Sequence, residues 1–347
     1  MTVELLEDKK RWDQFVETSP QGSLFHKWDL LKTLERHSKY RFLPYCIYSG
    51  DELRCIFPFF FWRERFGLTN LCSPPPFRLG TQIPYGGPAF DPSVQALKAS
   101  AKEKILNQVT DELCTEIDTI APNFVLIAPV PNFIDMRFFM WKNFTARLGF
   151  TYVIDLERSL DEIWASFSKS CRKKIKRVSA YSPEIQQTND VSALLDIWRP
   201  RFSELGMEVP LISDNYLKEL VAAYPQDVML YTLSIDGRLA TAQACCVTQK
   251  ERYCTWIGGV NLRKDLDVNE YLIWELVQRA KSEGFKKLDL GEPDARLSRY
   301  LAKFDPVLEP CCSVERTNTK GKPVYSAYQK LSWAKKLVSG ALPRAHR

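Results

Sequence analysis

The run NEYLIWELVQRAKSEGFKKLDLG, Asn269 to Gly291, decides how the second half of this chain folds. Leu272, Ile273, Leu276, Val277 and Ala280 recur at the three- and four-residue spacing of one helix face. Asp267 stands where an N-cap belongs with Glu270 three residues on, and Gly284 supplies the residue that ends a helix. KKLDLG follows at once as a short apolar strand. The stretch therefore reads as a helix returning directly into a buried strand.

Working outward, VMLYTLSI (228–235), LATAQACCV (239–247) and YCTWIGG (253–259) read as three strands. Asp236-Gly237 joins the first two, a strong hairpin signal, so the three form a meander. Before them stand the alternating strand TYVIDLE (151–157), a capping box from Ser159 to Glu162, and a long helix beginning at Leu160. Two further helices fit 191–205 and 214–223. After Gly291 come a shorter helix, ARLSRYLAKF (295–304), and a strand pair at 311–316 and 324–328. The first half repeats this order more weakly. WDLLKTLERH (28–37) has helical spacing, and 41–62 reads as two strands around Ser49-Gly50-Asp51. The Pro- and Gly-rich 73–90 excludes helix, a helix spans about 93–120, and NFVLIAPV (123–130) is a buried strand.

A length of 347 residues fits two domains of ordinary size. Apolar residues at 45% and charged residues at 26% exclude long disordered tracts. A net charge of +6 permits an anionic partner but is modest for a dedicated duplex binder. The opening MTVELLEDKKRWD is acidic where a signal peptide needs an apolar run, and CIFPFFFW (55–62) is too short to span a bilayer. A cytoplasmic protein with no transmembrane segment is expected. Ten cysteines lack C-x-x-C spacing, so reduced thiols are expected, and three scattered histidines give no metal-ligand set.

Strand, helices, three antiparallel strands, crossover helix, strand, helix and hairpin is the element order of the GNAT acyltransferase fold. With the weaker copy upstream, the chain resembles the Fem-like peptidyl- and acyltransferases, which carry two GNAT-like domains. PYGGP (84–88), SCRKKIKR (170–177), the Asn269 to Gly291 run and LAKF (301–304) carry the resemblance, which covers nearly the whole length. It implies an α/β fold (an α+β mixed sheet) of tandem GNAT-like domains with a cleft between them. Residues 1–149 would be a degenerate, acceptor-side domain and 150–330 the catalytic, donor-side domain. The basic tail 331–347 would pack on the first domain or rest on an anionic membrane, making the protein peripheral there.

Acyl transfer to an amine needs a neutral amine, a carbonyl held in line and donors for the developing oxyanion. In the helix after Leu160, Ile163, Trp164, Phe167, Cys171, Ile175 and Val178 share one side at about 100 degrees per residue. Lys169, Arg172, Lys173 and Lys176 gather on the other, with no acid between Lys169 and Arg177. They are the candidate donor-binding residues for the phosphates of coenzyme A or of a transfer RNA end; the alternative is a solvated face. Coenzyme A-dependent GNAT enzymes cradle pyrophosphate on a Gln/Arg-x-x-Gly-x-Gly/Ala loop at a helix N-terminus. GGVNLRKDLDVNE (258–270) lacks that motif, although Gly258 and Gly259 can admit a donor and Arg263 and Lys264 can compensate its charge. Tyr271 can line the same pocket. The resemblance assigns Lys303 to stabilising the reacting charge or the donor phosphates; the alternative for a lysine beside Phe304 is a snorkelling surface residue. Asp289 and Glu292, with Asp294 behind, end the strand KKLDLG where open sheets place ligands, and are the candidate bases; the alternative is that Asp289 binds backbone N–H groups and that Glu292 or Asp294 starts the following helix as a first-turn acid. An N-acyltransferase is expected, with aminoacyl-tRNA or acyl-CoA as co-substrate, no tightly bound cofactor, no metal, and an amine acceptor that can be cell-envelope or lipid-linked. The alternatives are an acyl-CoA-dependent small-molecule N-acetyltransferase and a non-catalytic RNA- or anion-binding module.

Overall fold

The computed structural model describes residues 1–63, 67–75, 85–131, 133–204, 213–292 and 295–327. The first half runs β1 (Thr2–Leu5), α1 (Lys9–Thr18), α2 (Trp28–His37), β2 (Arg41–Ser49), β3 (Glu52–Arg63), β4 (Thr69–Ser73), β5 (Ala89–Phe90), α3 (Pro92–Ala96), α4 (Ala99–Ile120), β6 (Phe124–Ile127) and the short α5 (Arg137–Met140). The second begins with β7 (Thr145–Asp155), α6 (Leu160–Ser166), α7 (Lys169–Ser179), β8 (Glu184–Thr188), α8 (Val191–Glu204) and α9 (Asp214–Ala223). It continues with β9 (Val228–Ile235), β10 (Arg238–Gln249), β11 (Arg252–Gly258), α10 (Val268–Ser282), β12 (Lys287–Asp289), α11 (Ala295–Leu301) and β13 (Val307–Thr317).

These strands form one sheet in the order β1, β2, β3, β4, β6, β13, β7, β12, β11, β10, β9, β8, with β5 beside β3. Each half supplies an edge strand, a helix pair, an antiparallel meander, a crossover helix and a strand parallel to the last of the meander. Thus β6 lies parallel to β4, and β12 parallel to β11. The next strand of each half leaves for the other. β7, which follows β6, pairs with β12; β13, which follows β12, pairs with β6. The two exchanged strands pair antiparallel with each other from Thr145↔Glu315 to Val153↔Val307. The tandem mixed-sheet architecture is the one the sequence implies, and the exchange at its centre joins the halves covalently and by ladder.

Side-chain alternation divides the apolar residues between two faces. On one face α1, α2, α8 and α9 share a core in which Trp12, Leu30 and Leu34 meet Trp198, Tyr216 and Leu220. On the other, α4 covers the first half and α6, α7 and α10 cover the second. Between α2 and α9, Arg36 and His37 reach Glu219 at 2.7 and 2.8 Å, and Leu30 N–H donates to Tyr224 Oη at 3.2 Å.

Several local expectations hold for the reasons given by their chemistry. Asp236 and Gly237 take φ of 51° and 66°, the two left-handed residues a tight hairpin needs. Ser159 and Glu162 form their reciprocal capping box. Gly284, at φ 86°, ends α10, and Phe285 N–H bonds back to Ala280 C=O at 3.0 Å.

Others are corrected. The single helix expected from Leu160 is two, because Phe167 is extended and Ser168 caps a new start by accepting from Cys171 N–H at 3.2 Å. The helix expected over 93–120 likewise breaks between α3 and α4. β7 begins six residues before Thr151, so Gly149 and Phe150 lie within one strand rather than at a domain boundary. Residues 321–327 are helical, replacing the described part of the strand expected at 324–328; Gly321 N–H donates to Asn318 Oδ1 at 2.8 Å. Pro84, Asp294 and the tail 331–347 lie outside the described residues.

Candidate functional site

Parallel pairing of β11 with β12 runs from Arg252↔Lys287 to Cys254↔Asp289 and stops, while β11 continues to Gly258. The two strands therefore part at their carboxyl ends, and the first turn of α10 sits beyond the opening. Around that turn the second half gathers its charge. Lys303 Nζ donates to Glu270 Oε1 at 2.5 Å and stands 3.8 Å over the Tyr300 ring. Lys174 reaches the same carboxylate at 3.4 Å and Asp267 at 2.7 Å. The Asp267 hydrogen bond is the main reason that the Lys174 pKa is raised. Glu270 is 4% exposed and Lys303 16% exposed, so the pair is largely withdrawn from water.

Asp267 makes no side-chain cap bond, and Glu270 turns to the lysines instead of closing the capping box expected of it. Its carboxylate and that of Asp267 occupy the helix N-terminus where a coenzyme A pyrophosphate would sit in an ordinary GNAT enzyme. Gly259 N–H donates to Ala242 C=O at 3.1 Å, and Asn269 Nδ2 donates to Gly259 C=O at 2.5 Å. Gly258, at φ 135°, leaves no room for a Cβ, which would lie 2.6 Å from Ala242 O. Packing against β10 requires Gly258, and a φ of 73° favours glycine at Gly259, so both have local reasons to be glycine apart from donor contact. Arg263 pairs with Asp265 at 2.9 Å, whereas Lys264 is exposed and makes no ion pair among the described residues. Tyr271 is half-buried on α10; burial, then Glu275, pushes its pKa up to about 12.

α7 packs Cys171, Ile175 and Val178 against α10. Its start is tied to the lysine site, since Ser168 N–H donates to Lys303 C=O at 2.9 Å. Lys169, Lys173 and Lys176 are exposed and without an ion pair among the described residues. Arg172 behaves differently. Its guanidinium donates to Phe167 C=O at 2.7 Å, to Trp164 C=O at 3.4 Å and to Ala165 C=O, so it caps the end of α6 rather than waiting for a donor.

Asp289 is fully buried and committed. Oδ2 accepts from Arg252 Nη1 at 2.6 Å; Oδ1 accepts from Gly291 N–H at 2.8 Å and from the Thr151 hydroxyl. Burial works against the Arg252 charge, which Asp289 and Glu309 hold in place. With both oxygens already accepting, Asp289 takes the structural role that the sequence left open beside that of a base. Glu292 is exposed, its Oε1 near Gly149 and Cys311. Burial first, then Glu292, pushes the Cys311 thiol up to about 12, so it is no nucleophile at neutral pH.

Sequence reasoning missed three contributors. Glu270 looked like a helix cap, and Lys174 fell off the counted basic face. Tyr85, brought from the first half, is buried; burial, then Asp289, raises its pKa well above the ordinary phenol range. Its loop fills the first half's own strand opening. Gly86 N–H donates to Ala128 C=O at 2.7 Å and Gly87 N–H to Ser73 Oγ at 2.8 Å, between β4 and β6. PYGGP gave the loop but not its seat.

A cleft of about 550 Å³ does lie between the halves. It is lined by residues 18–22, Phe90, Lys102 and Phe133 from the first and by 249–252 and Lys287 from the second. None of the α7 cations lines it, so the expectation of a basic wall along a shared groove is corrected: basic face and cleft are separate.

Residues 165–300 match the family model of the acetyltransferase (GNAT) domain. The crystal structure of FemX aligns over 94% of this chain and 99% of its own at a TM-score of 0.70 and 11% identity. L-PGS from Bacillus licheniformis covers 97% of both chains at 0.56 and 14% identity. A tandem GNAT protein from the clavulanic acid biosynthesis pathway covers 91% of this chain and 98% of its own at 0.52 and 10% identity. At such identities these likenesses establish the fold. No curated protein matches the sequence significantly. No helix among the described residues is long and apolar enough to cross a membrane.

Proposed function

We propose that this chain, a Fem-like tandem of GNAT folds, is an N-acyltransferase that moves an aminoacyl group from a transfer RNA to an amine. The observation that carries the reading is the junction at α10. Lys303, held by Glu270, adjoins the start of α7, whose Lys169, Lys173 and Lys176 face solvent uncompensated. An exposed cation stripe beside an enclosed lysine suits a donor whose reactive end enters the site while its backbone lies outside. Asp267 and Glu270 at the helix N-terminus disfavour a pyrophosphate there and so count against acyl-CoA. As the amine attacks the aminoacyl carbonyl, the ester bond to the transfer RNA ribose would break; Lys303 would stabilise charge on the donor, and Glu292, the exposed carboxylate after β12, would take the amine proton directly or through water, the departing ribose oxygen leaving as a hydroxyl. The likeness in fold to the C-terminal domain of a putative lysylphosphatidylglycerol synthetase supports a lipid-linked amine as the acceptor.

Thermal shift with aminoacyl-tRNA, acyl-CoA and coenzyme A, followed by transfer from labelled donors, tests this. A true donor at a hundredfold excess over its Kd stabilises by about 2.7 kcal/mol. Stabilisation and transfer with acyl-CoA alone would replace the reading by a thioester-dependent enzyme. RNA binding with steep salt dependence and no transfer would make the chain a binding module.

A further inference from the structure

The cleft between the halves opens at the amino end of β12, where Lys287 lines it, and beside the carboxyl end of β6. Its charge does not cancel. Arg252 is answered by Asp289 and Glu309, Lys287 by Glu309, Asp135 by Arg137, and Glu251 by Lys286. Lys102 from α4 and Lys250 from the turn between β10 and β11 make no ion pair among the described residues. The acids they act on through space, Asp135 and Glu17, are already held by Arg137 and Lys27. Two uncompensated cations, one from each half, therefore address one cavity. Lys102 also belongs to the first turn of α4, which has no acid, whereas the matching turn of α10 carries Glu270. Beside them Phe90 and Phe133 stack at 5.8 Å and 18°, giving the cleft a flat apolar wall.

We infer that this cleft binds an amphiphilic anion, with a planar or apolar body against Phe90 and Phe133 and a phosphate or carboxylate on Lys102 and Lys250. The chemistry is that of concave sites in which an apolar lining supplies area and a few polar groups fix orientation. Neither an isolated anion nor an uncharged ring satisfies both walls. The inference goes beyond the transfer reading and does not require it, because the donor face on α7 is elsewhere.

Calorimetry on the full chain with 2-naphthyl phosphate, 2-naphthol and inorganic phosphate tests it. The naphthyl phosphate should bind one to one, with the ring alone and the phosphate alone at least tenfold weaker. Lys102→Glu, Lys250→Glu and Phe133→Ala should each weaken it about tenfold or more, about 1.4 kcal/mol per tenfold. Lys218→Glu, an exposed α9 lysine outside the cleft lining, should leave it unchanged. Far-UV circular dichroism of each variant separates misfolding from loss of the site. No measurable binding to the wild type, or equal affinity in folded Lys102→Glu and Lys250→Glu, overturns the inference.

Discussion

At the residue scale the proposed chemistry rests on the ion pair of Lys303 with Glu270. Truncating Lys303 to alanine should lower turnover about a hundredfold, the cost of losing one donor to developing charge. It also strips a mostly buried carboxylate of its nearer partner, so a fall in stability of about 1–3 kcal/mol should accompany it. Glu270→Gln separates the two effects: it removes the charge that holds the lysine yet keeps the lysine itself. Unchanged turnover in folded Lys303→Ala would take that residue out of the chemistry. A second buried group carries a pH signature. His26 is fully enclosed, its Nδ1 2.7 Å from Ser23 Oγ and its Nε2 3.3 Å from Gly87 O, and burial lowers its pKa to about 4. An unfolded histidine titrates near 6.5. Between those values the unfolded chain holds a proton that the native chain does not, so stability rises with pH across that window. The contribution is complete above about pH 6.5 and lost as pH falls towards 4, about 3 kcal/mol in all. His26→Gln should flatten urea-unfolding free energies between pH 7 and 5; an unchanged slope rejects the assignment.

Among the elements, those with local punctuation were legible in the sequence. α10 and β12 were marked by Asp267, Gly284 and an apolar stripe, the β9–β10 hairpin by Asp236-Gly237, and α6 by its capping box. The break at Phe167–Ser168 was not, because Phe167 and Cys171 continue the apolar spacing in phase across it and periodicity cannot register an extended residue. Four basic residues then looked alike, although one of them caps α6. That distinction is measurable. Reversing Lys169, Lys173 and Lys176 to glutamate should raise the donor KM by about tenfold or more and leave Tm nearly unchanged, since exposed unpaired charges contribute little to stability. Arg172→Ala should instead lower stability by about 1 kcal/mol by freeing three carbonyls, with a smaller effect on KM. Equal effects of the two changes on KM would return Arg172 to the donor face. Ser168→Ala should cost about 1 kcal/mol as a lost N-cap.

For the whole molecule, the decisive feature is one that no window of sequence contains: the strand after each parallel strand completes the opposite half. Pairing of β13 with β6 joins Val314 to Ile127, nearly two hundred residues apart, and β7 supplies the neighbour of β12 across the same seam. Hydrophobic pattern identifies such strands but carries no information about which partner they take. The helix layer adds a second bond between halves, because Trp198, Tyr216 and Leu220 share their core with Trp12, Leu30 and Leu34. Removing the first half would expose those three side chains, at about 1.5–3 kcal/mol each, and leave β13 without its β6 ladder. A loss of that size approaches the whole stability of an ordinary domain. The chain should therefore unfold in one transition, with tryptophan fluorescence and far-UV circular dichroism coincident in urea. Residues 145–327 expressed alone should give no cooperative transition, even though they contain the entire segment that matches the GNAT domain model. A sharp, reversible melt of that fragment would mean that the exchanged strands are an ornament of the fold and that the second half is autonomous.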